Sequence, residues 1–251
     1  MNNSFTLSSK VIIHIISLFL TISFISTQLN AANYGVSPLS VTFDKDNKSS
    51  VFTVSNDDKK SISLRIEAMN WIQNNEGNES YEKTKDLIFF PKRLELAPGE
   101  KRIVRVGVRN TEVGVEKAYR LYIEELPPAQ LEGDGSTKLA VLVTFGLPVF
   151  IKPSGVESKL RLMESSIDGN SLSLHLTNSG KSHSRLSRLV TEEGLLLSEN
   201  LPGRYLHPGV SRRISIPLPL ELCDGKSHTI RIEAQNEALT TKLRLPVSCN
   251  S

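Results

Sequence analysis

LAVLVTFGLPVFI, residues Leu139–Ile151, runs for thirteen residues without a charged side chain. Large apolar groups recur at every second position, Leu139, Val141, Val143, Phe145, Leu147, Val149 and Ile151, which is the period of a β-strand. Such a strand exceeds the usual length of roughly five or six residues, and one strand cannot bury all of it in one small sheet. Part of it is therefore expected to await another protein. A membrane helix is the rival reading, but thirteen residues rise only about 20 Å as a helix, and Pro148 interrupts them.

Upstream, Lys10 precedes an apolar run from Val11 to Phe24 and a small-residue site at Leu29-Asn30-Ala31, the three parts of a secretory signal. Residues 1–31 are read as a signal peptide, with the mature chain beginning near Ala32. No basic cluster or stop-transfer flank follows, so no stable membrane insertion is expected after cleavage. The formal charge of +3 falls by the one charge of Lys10 on cleavage. This near balance, without a Lys/Arg block interleaved with aromatics, argues against nucleic-acid binding.

The remaining ~220 residues suit two domains of about a hundred each. Cys223 and Cys249 are the only cysteines. In an oxidising compartment they favour a bridge over a metal site, because two thiolates without a nearby His pair fall short of a structural zinc's ligands. Such a bridge would add roughly 3–4 kcal/mol to the C-terminal domain in the chain-entropy model.

From Tyr34 to Ile151 the pattern is of strands. Ser49–Val54 and Ser61–Ala68 alternate with period two, and further strands are expected at Asp86–Phe90, Arg93–Leu96, Arg102–Arg109 and Ala118–Leu126. Pro98-Gly99 makes a tight turn, Gln73–Lys85 reads as an exposed hairpin loop and Pro127–Lys138 as a connection into the long strand. Lys152-Pro153-Ser154-Gly155 breaks the run, and strands resume at Ser171–Thr177, Arg212–Ile216, His228–Ala234 and Thr240–Val247. The expected fold is all-β: two immunoglobulin-like β-sandwiches, residues 32–152 and 153–251, joined at an elbow into a boomerang.

Several segments in order resemble the PapD-like periplasmic chaperones of chaperone–usher pilus assembly. They are Val54-Ser55-Asn56-Asp57; Phe90-Pro91 with Leu96-Ala97-Pro98-Gly99-Glu100; Val104-Arg105-Val106; Ala118 to Pro128; and the long strand ending in Lys152-Pro153. The resemblance covers nearly the whole mature chain. It implies a periplasmic location and a strand lent to a pilus subunit whose own sandwich lacks its last strand. An incomplete sandwich exposes an apolar groove and unpaired backbone, and a donor supplies main-chain hydrogen bonds and alternate side chains. Gap-free alignment with the family places Leu139, Val141 and Val143 at the donor positions, with Phe145 and Leu147 extending the row. The competing reading is that this row is ordinary core, since strands buried on both faces also read as apolar runs.

The resemblance further implies partners: pilus or fimbrial subunits and an outer-membrane usher. An exposed apolar strand also leads us to expect self-association when the chain is free. Most family members anchor the subunit's C-terminal carboxylate with an arginine and a lysine, and those positions fall here on Ser40 and Pro148. Neither offers a cation. Arg120 is the expected substitute, with Lys152 second. Glu125 and Lys152 occupy positions where the family usually has an interdomain ion pair. These departures, with the Leu201–Gly209 segment, point to a non-classical branch, the archaic one included.

No catalytic constellation is present: His175, His183, His207 and His228 are scattered without a partnered acid or nucleophile at a recognised spacing. Lys181-Ser182-His183-Ser184 is read as a surface turn rather than part of a triad. No phosphate-cradling glycine loop, HExxH or CxxC occurs, so no enzyme, cofactor or metal is expected. The alternative from another class is a secreted structural or adhesive protein of two immunoglobulin-like domains, such as a pilus component.

Overall fold

The computed structural model describes residues 34–127, 141–199, 201 and 204–245. Among them there is no α-helix. The first ten strands are β1 (Tyr34–Ser37), β2 (Val41–Phe43), β3 (Ser49–Asn56), β4 (Ile62–Gln73), β5 (Glu79–Lys83), β6 (Leu87–Phe90), β7 (Arg93–Leu96), β8 (Lys101–Val108), β9 (Lys117–Glu125) and β10 (Thr144–Ile151). After a linker come β11 (Leu160–Asp168), β12 (Ser171–Asn178), β13 (Ser184–Thr191), β14 (Leu196–Ser198), β15 (Tyr205–Leu206), β16 (Ser211–Pro217), β17 (Ser227–Ala234) and β18 (Ala238–Arg244).

One sheet, in the order β1-β3-β8-β6, faces a second, β2-β10-β9-β4-β5, with β7 also paired to β4. Their inner faces close on Phe52, Leu64, Leu96, Val104, Leu121 and Ile123, all fully buried. The sheets β11-β12-β16 and β14-β13-β17-β18, with β15 on β13, enclose a separate core around Leu172, Leu174, Leu176, Leu189 and Ile230. The architecture is therefore two immunoglobulin-like sandwiches, and the change of core falls between Ile151 and Leu160. β12 shows how the pattern sets the pleat: its leucines are buried while Ser171, Ser173, His175 and Thr177 are half-buried on the other face.

β5 departs from the expected loop at Gln73–Lys85. Glu79–Lys83 pairs with Met69–Gln73 of β4, yet all five of its side chains are exposed, so no apolar alternation marks it. It is a strand by backbone pairing alone.

Each sandwich is pinned by one fully buried asparagine at a strand end. Asn56 Nδ2 reaches the carbonyls of Lys60 at 2.8 Å and of Leu96 and Ala97 at 3.1 Å, while its Oδ1 accepts from the Asp58 amide. Asn178 Nδ2 donates to Ser182 and Leu206 carbonyls, and its Oδ1 accepts from Lys159 and Gly180 amides. Gly180 is a glycine by necessity, because a Cβ there would collide with the Glu157 carbonyl of the linker.

Candidate functional site

β10 is the strand foreseen at Leu139–Ile151, but its paired part begins at Thr144. Along its whole length it pairs antiparallel with β9, whereas on its other side it meets β2 only from Val149 to Ile151. The Glu125 amide donates to the Val143 carbonyl at 3.1 Å, which fixes the phase. Odd-numbered residues bond to β9 and even-numbered ones point away from it. Pro148 falls on an outward position, where a missing N–H costs the β9 ladder nothing. From Thr144 to Pro148 the outer edge carries no partner strand among the described residues.

The side chains grade along this strand. Leu147, Val149 and Ile151 belong to the first core, Val143 and Phe145 pack partly against it, and Val141 is 72% exposed. Tyr34 closes the mouth of the sandwich. Its hydroxyl lies 2.9 Å from the carbonyls of both Ile123 and Val143, and its ring meets Phe145 edge-on at 5.0 Å. Leu147 was expected to extend the donor row; at 3% exposure its side chain is already used by the chain's own core, so the available row ends at Phe145. Leu139 lies outside the described residues.

Outward-facing residues of the same sheet build the floor of a cleft against the second sandwich. Its volume is about 460 Å³, and its lining includes Ser40, Arg120, Pro148, Arg185, Arg204 and Glu79. Arg120 sits directly across from Pro148 in the β9–β10 register. Its Nη1 donates to the Gly146 carbonyl at 2.9 Å, and its Cζ stands 3.7 Å from the centre of the Trp71 ring. Three guanidinium groups against one carboxylate give the cleft an excess of positive charge. Burial alone would raise the Glu79 pKa, but hydrogen bonds from Tyr81 and Gln73, with Arg212 and Arg120 nearby, outweigh it and hold Glu79 below the ordinary value. Glu79 therefore stays ionised and offsets one of the three cations.

Residues 34–157 match the family described as pili and flagellar-assembly chaperone, PapD N-terminal domain. The chain belongs to the PapD-like pilus chaperones. That family consists of chaperones, not enzymes. Solved structures of low identity share the fold over most of the chain. A chain of the CsuC–CsuE chaperone–tip adhesion subunit pre-assembly complex from the archaic chaperone–usher Csu pili of Acinetobacter baumannii has a TM-score of 0.59 at 17% identity, covering 84% of this chain and 98% of its own. The Salmonella enterica SafA pilin–SafB chaperone complex gives 0.58 at 14%, with 85% and 97% covered. The Pseudomonas aeruginosa CupB2 chaperone gives 0.54 at 12%, with 84% and 100% covered. No curated protein matches the sequence.

In this PapD-like chaperone Ser40 and Pro148, the positions at which the resemblance places the family's cations, line the same cleft as Arg120. Lys152 does not line it; its backbone amide donates to Phe43 beyond the end of β10. The expected Glu125–Lys152 ion pair is not formed. Glu125 lies opposite Val143, while Lys152 follows Ile151, which pairs with Lys117. Nine register steps of roughly 3.3 Å separate the two along β9 and β10, on the order of 30 Å.

The sandwiches are joined instead by Glu116 with His183, alongside a longer contact of 4.0 Å between Glu79 and Arg212. Glu116 Oε1 accepts from the His183 amide at 2.9 Å and lies 2.7 Å from its Nδ1. His183 stacks on Phe150 with ring centroids 3.9 Å apart, and Ser182 and Ser184 are buried, so this segment is a junction element rather than the surface turn expected. Gln73 completes the join: its Nε2 donates to the Tyr205 carbonyl and its Oε1 accepts from the His207 amide, both at 2.9 Å.

Arg185, Arg204 and Glu116 escaped the sequence reading. No local pattern sets an arginine of the second sandwich apart as a neighbour of Arg120, and only the tertiary fold joins them. Cys223 is disulfide-bonded; Cys249, its expected partner, lies outside the described residues. Among the described residues no cluster of His, Cys, Asp and Glu could hold a metal, and no helix is long and apolar enough to cross a membrane.

Proposed function

We propose that this chain is a periplasmic chaperone that holds a pilus subunit by donor-strand complementation and delivers it to an outer-membrane usher. The lent segment is Leu139 to Phe145. Its outer backbone edge adds main-chain hydrogen bonds, and Val141, Val143 and Phe145 enter the groove of the subunit's unfinished sandwich. Each such side chain, when fully buried, stabilises the complex by roughly 1.5–3 kcal/mol before ordering costs. No nucleotide is needed for this.

The subunit's C-terminal carboxylate is anchored by Arg120, assisted by Arg185 and Arg204 from the second sandwich. Replacement of the family's two cations at Ser40 and Pro148 supports placement in a non-classical branch, the archaic one included. A free donor edge also supports self-association when no subunit is bound.

The observation that carries this reading is the gradient through β10 and the segment leading into it, from the 72% exposed Val141 to the 3% exposed Leu147, beside an outer edge without a partner strand from Thr144 to Pro148. An adhesive role finds no comparable support, since the first sandwich is complete with its own β10. Co-expression with a cognate subunit tests it. A stoichiometric complex is expected to co-elute, and Val141→Asp with Val143→Asp is expected to abolish it while the chaperone stays folded. Normal binding by the folded double variant would end the donor-strand assignment.

A further inference from the structure

Three buried polar side-chain atoms among the described residues lack a hydrogen-bond partner: Trp71 Nε1, Glu116 Oε2 and His207 Nε2. All three belong to the junction between the sandwiches. Trp71 and His207 meet edge to face with ring centroids 4.5 Å apart, and Glu116 crosses the junction to His183. A buried donor or acceptor without a partner loses its hydration and regains nothing, so the closed junction carries a penalty that separation would relieve.

His183 Nδ1 lies 2.7 Å from the Glu116 carboxylate, whereas no group accepts from or donates to His207 Nε2. Trp71 and Gln73 of β4 meet His207 without charge. Of the neighbouring titratable groups, His183 ahead of β13, Arg120 of β9 and Arg212 of β16 oppose a positive charge on it. Glu79 of β5 favours one, but that carboxylate is engaged by Tyr81, Gln73 and Arg212. Asp86, ahead of β6, and Glu116 and Lys117, at the start of β9, line the same pocket as His207, with Glu116 held by His183 and Asp86 by Tyr119 and Lys117. Burial is the largest influence, and with these charges it lowers the His207 pKa from 6.5 to about 4.

We propose that His207 is a proton-sensitive latch: neutral, it lets the two sandwiches close on the arginine cleft, and protonated, it opens the elbow and dismantles that cleft. The second half rests on the cleft being the subunit's anchor. The coupling is direct, because Gln73 holds the backbone at both Tyr205 and His207, and Tyr205 lines the cleft beside Arg204. When the latch opens, Arg120 parts from Arg185 and Arg204. The sign follows from linkage. The open state takes up the proton from about pH 6.5 downward while the closed state resists it until about pH 4, so closure weakens as pH falls between them.

The test uses the mature chain with spin labels at exposed Ser49 and Thr240, one in each sandwich, and reads their distance distribution from pH 7.5 to 4.5. The longer-distance population is expected to grow on the order of tenfold between pH 7 and pH 5. His207→Gln, and independently His207→Phe, which fills the slot against Trp71 without a titrating nitrogen, are expected to flatten the response. An unchanged wild-type distribution, or variants that respond as wild type does, would overturn the latch. Subunit affinity measured over the same range should fall with pH in wild type and not in the His207 variants; a flat wild-type affinity beside an opening elbow would overturn the coupling. Failure of the cleft reading is distinguishable: Arg120→Ala binding normally at neutral pH would remove the anchor and leave the distance result standing.

Discussion

Arg120 and Pro148 face each other across the β9–β10 ladder, so the cation of one strand stands where its neighbour has none. The Trp71 ring and the Gly146 carbonyl hold the guanidinium against this position. Arg120→Ala is expected to weaken subunit binding roughly 10- to 100-fold, as loss of one charge-assisted bond implies. Arg120→Lys should restore only part of this, because an ammonium lacks the planar fork and stacks poorly on Trp71. Calorimetric titration with a subunit, or with its C-terminal peptide, measures both. Full affinity in Arg120→Ala would move the anchor elsewhere.

The gradient along β10 separates binding from folding within a few residues. Leu147→Ala is expected to cost about 2–5 kcal/mol of stability, since it opens a cavity in the first core. Val141→Ala should change stability by no more than about 0.5 kcal/mol, because its side chain has little to lose in the free protein. Subunit capture should rank the other way once the reduced stability of Leu147→Ala is allowed for. Urea unfolding beside a pull-down of subunit reads the two effects separately. Equal destabilisation by both changes would mean that Val141 packs in the free chain.

How legible the fold was depended on whether a strand had a buried face. Leu172, Leu174 and Leu176 announce β12 because alternate burial is written in alternate residues. β5 was invisible because each of its side chains is exposed and only backbone bonds to β4 define it. The site divides in the same way. Val141 and Val143 run directly into β10, which carries Phe145, and Arg120 lies on the neighbouring β9, so their association was readable from local pattern and resemblance. Glu116 with His183, and Arg120 with Arg185 and Arg204, come from segments tens of residues apart. Their chemistry depends on how the two sandwiches close, which no periodicity encodes.

Asn56 and Asn178 perform one task twice, each satisfying several buried backbone groups with a single amide. Asn56→Ala should cost roughly 2–4 kcal/mol, as several bonds worth about 1 kcal/mol each are lost and their partners stay buried. Asn56→Asp should cost at least as much, because a carboxylate cannot donate to the Lys60, Leu96 and Ala97 carbonyls. Denaturant unfolding should report the loss, and amide exchange should place it in the first sandwich for Asn56 and the second for Asn178. A change in exchange spread evenly over both would contradict the separate pins.

Tyr34 makes the donor end of the first sandwich sensitive to alkali. Burial, followed by the nearby Glu125 carboxylate, raises its hydroxyl pKa well above the usual 10; the Phe145 amide opposes this, and Glu124 adds to it. A folded-state value above the unfolded one means that the neutral phenol is the form the fold favours. Its contribution is then complete below pH 10 and declines as the pH rises beyond it. Tyr34→Phe removes the bonds to Ile123 and Val143 and should destabilise the protein by about 1 kcal/mol at pH 7. At pH 11 the wild type loses stability that the variant never had, so the gap between their thermal midpoints should shrink or reverse. Lysine titration affects both proteins alike and cancels in the difference. A gap that widens with pH would mean that the tyrosinate is the form held at the mouth of the sandwich, and the packing of Tyr34 on Phe145 would then have to change with ionisation.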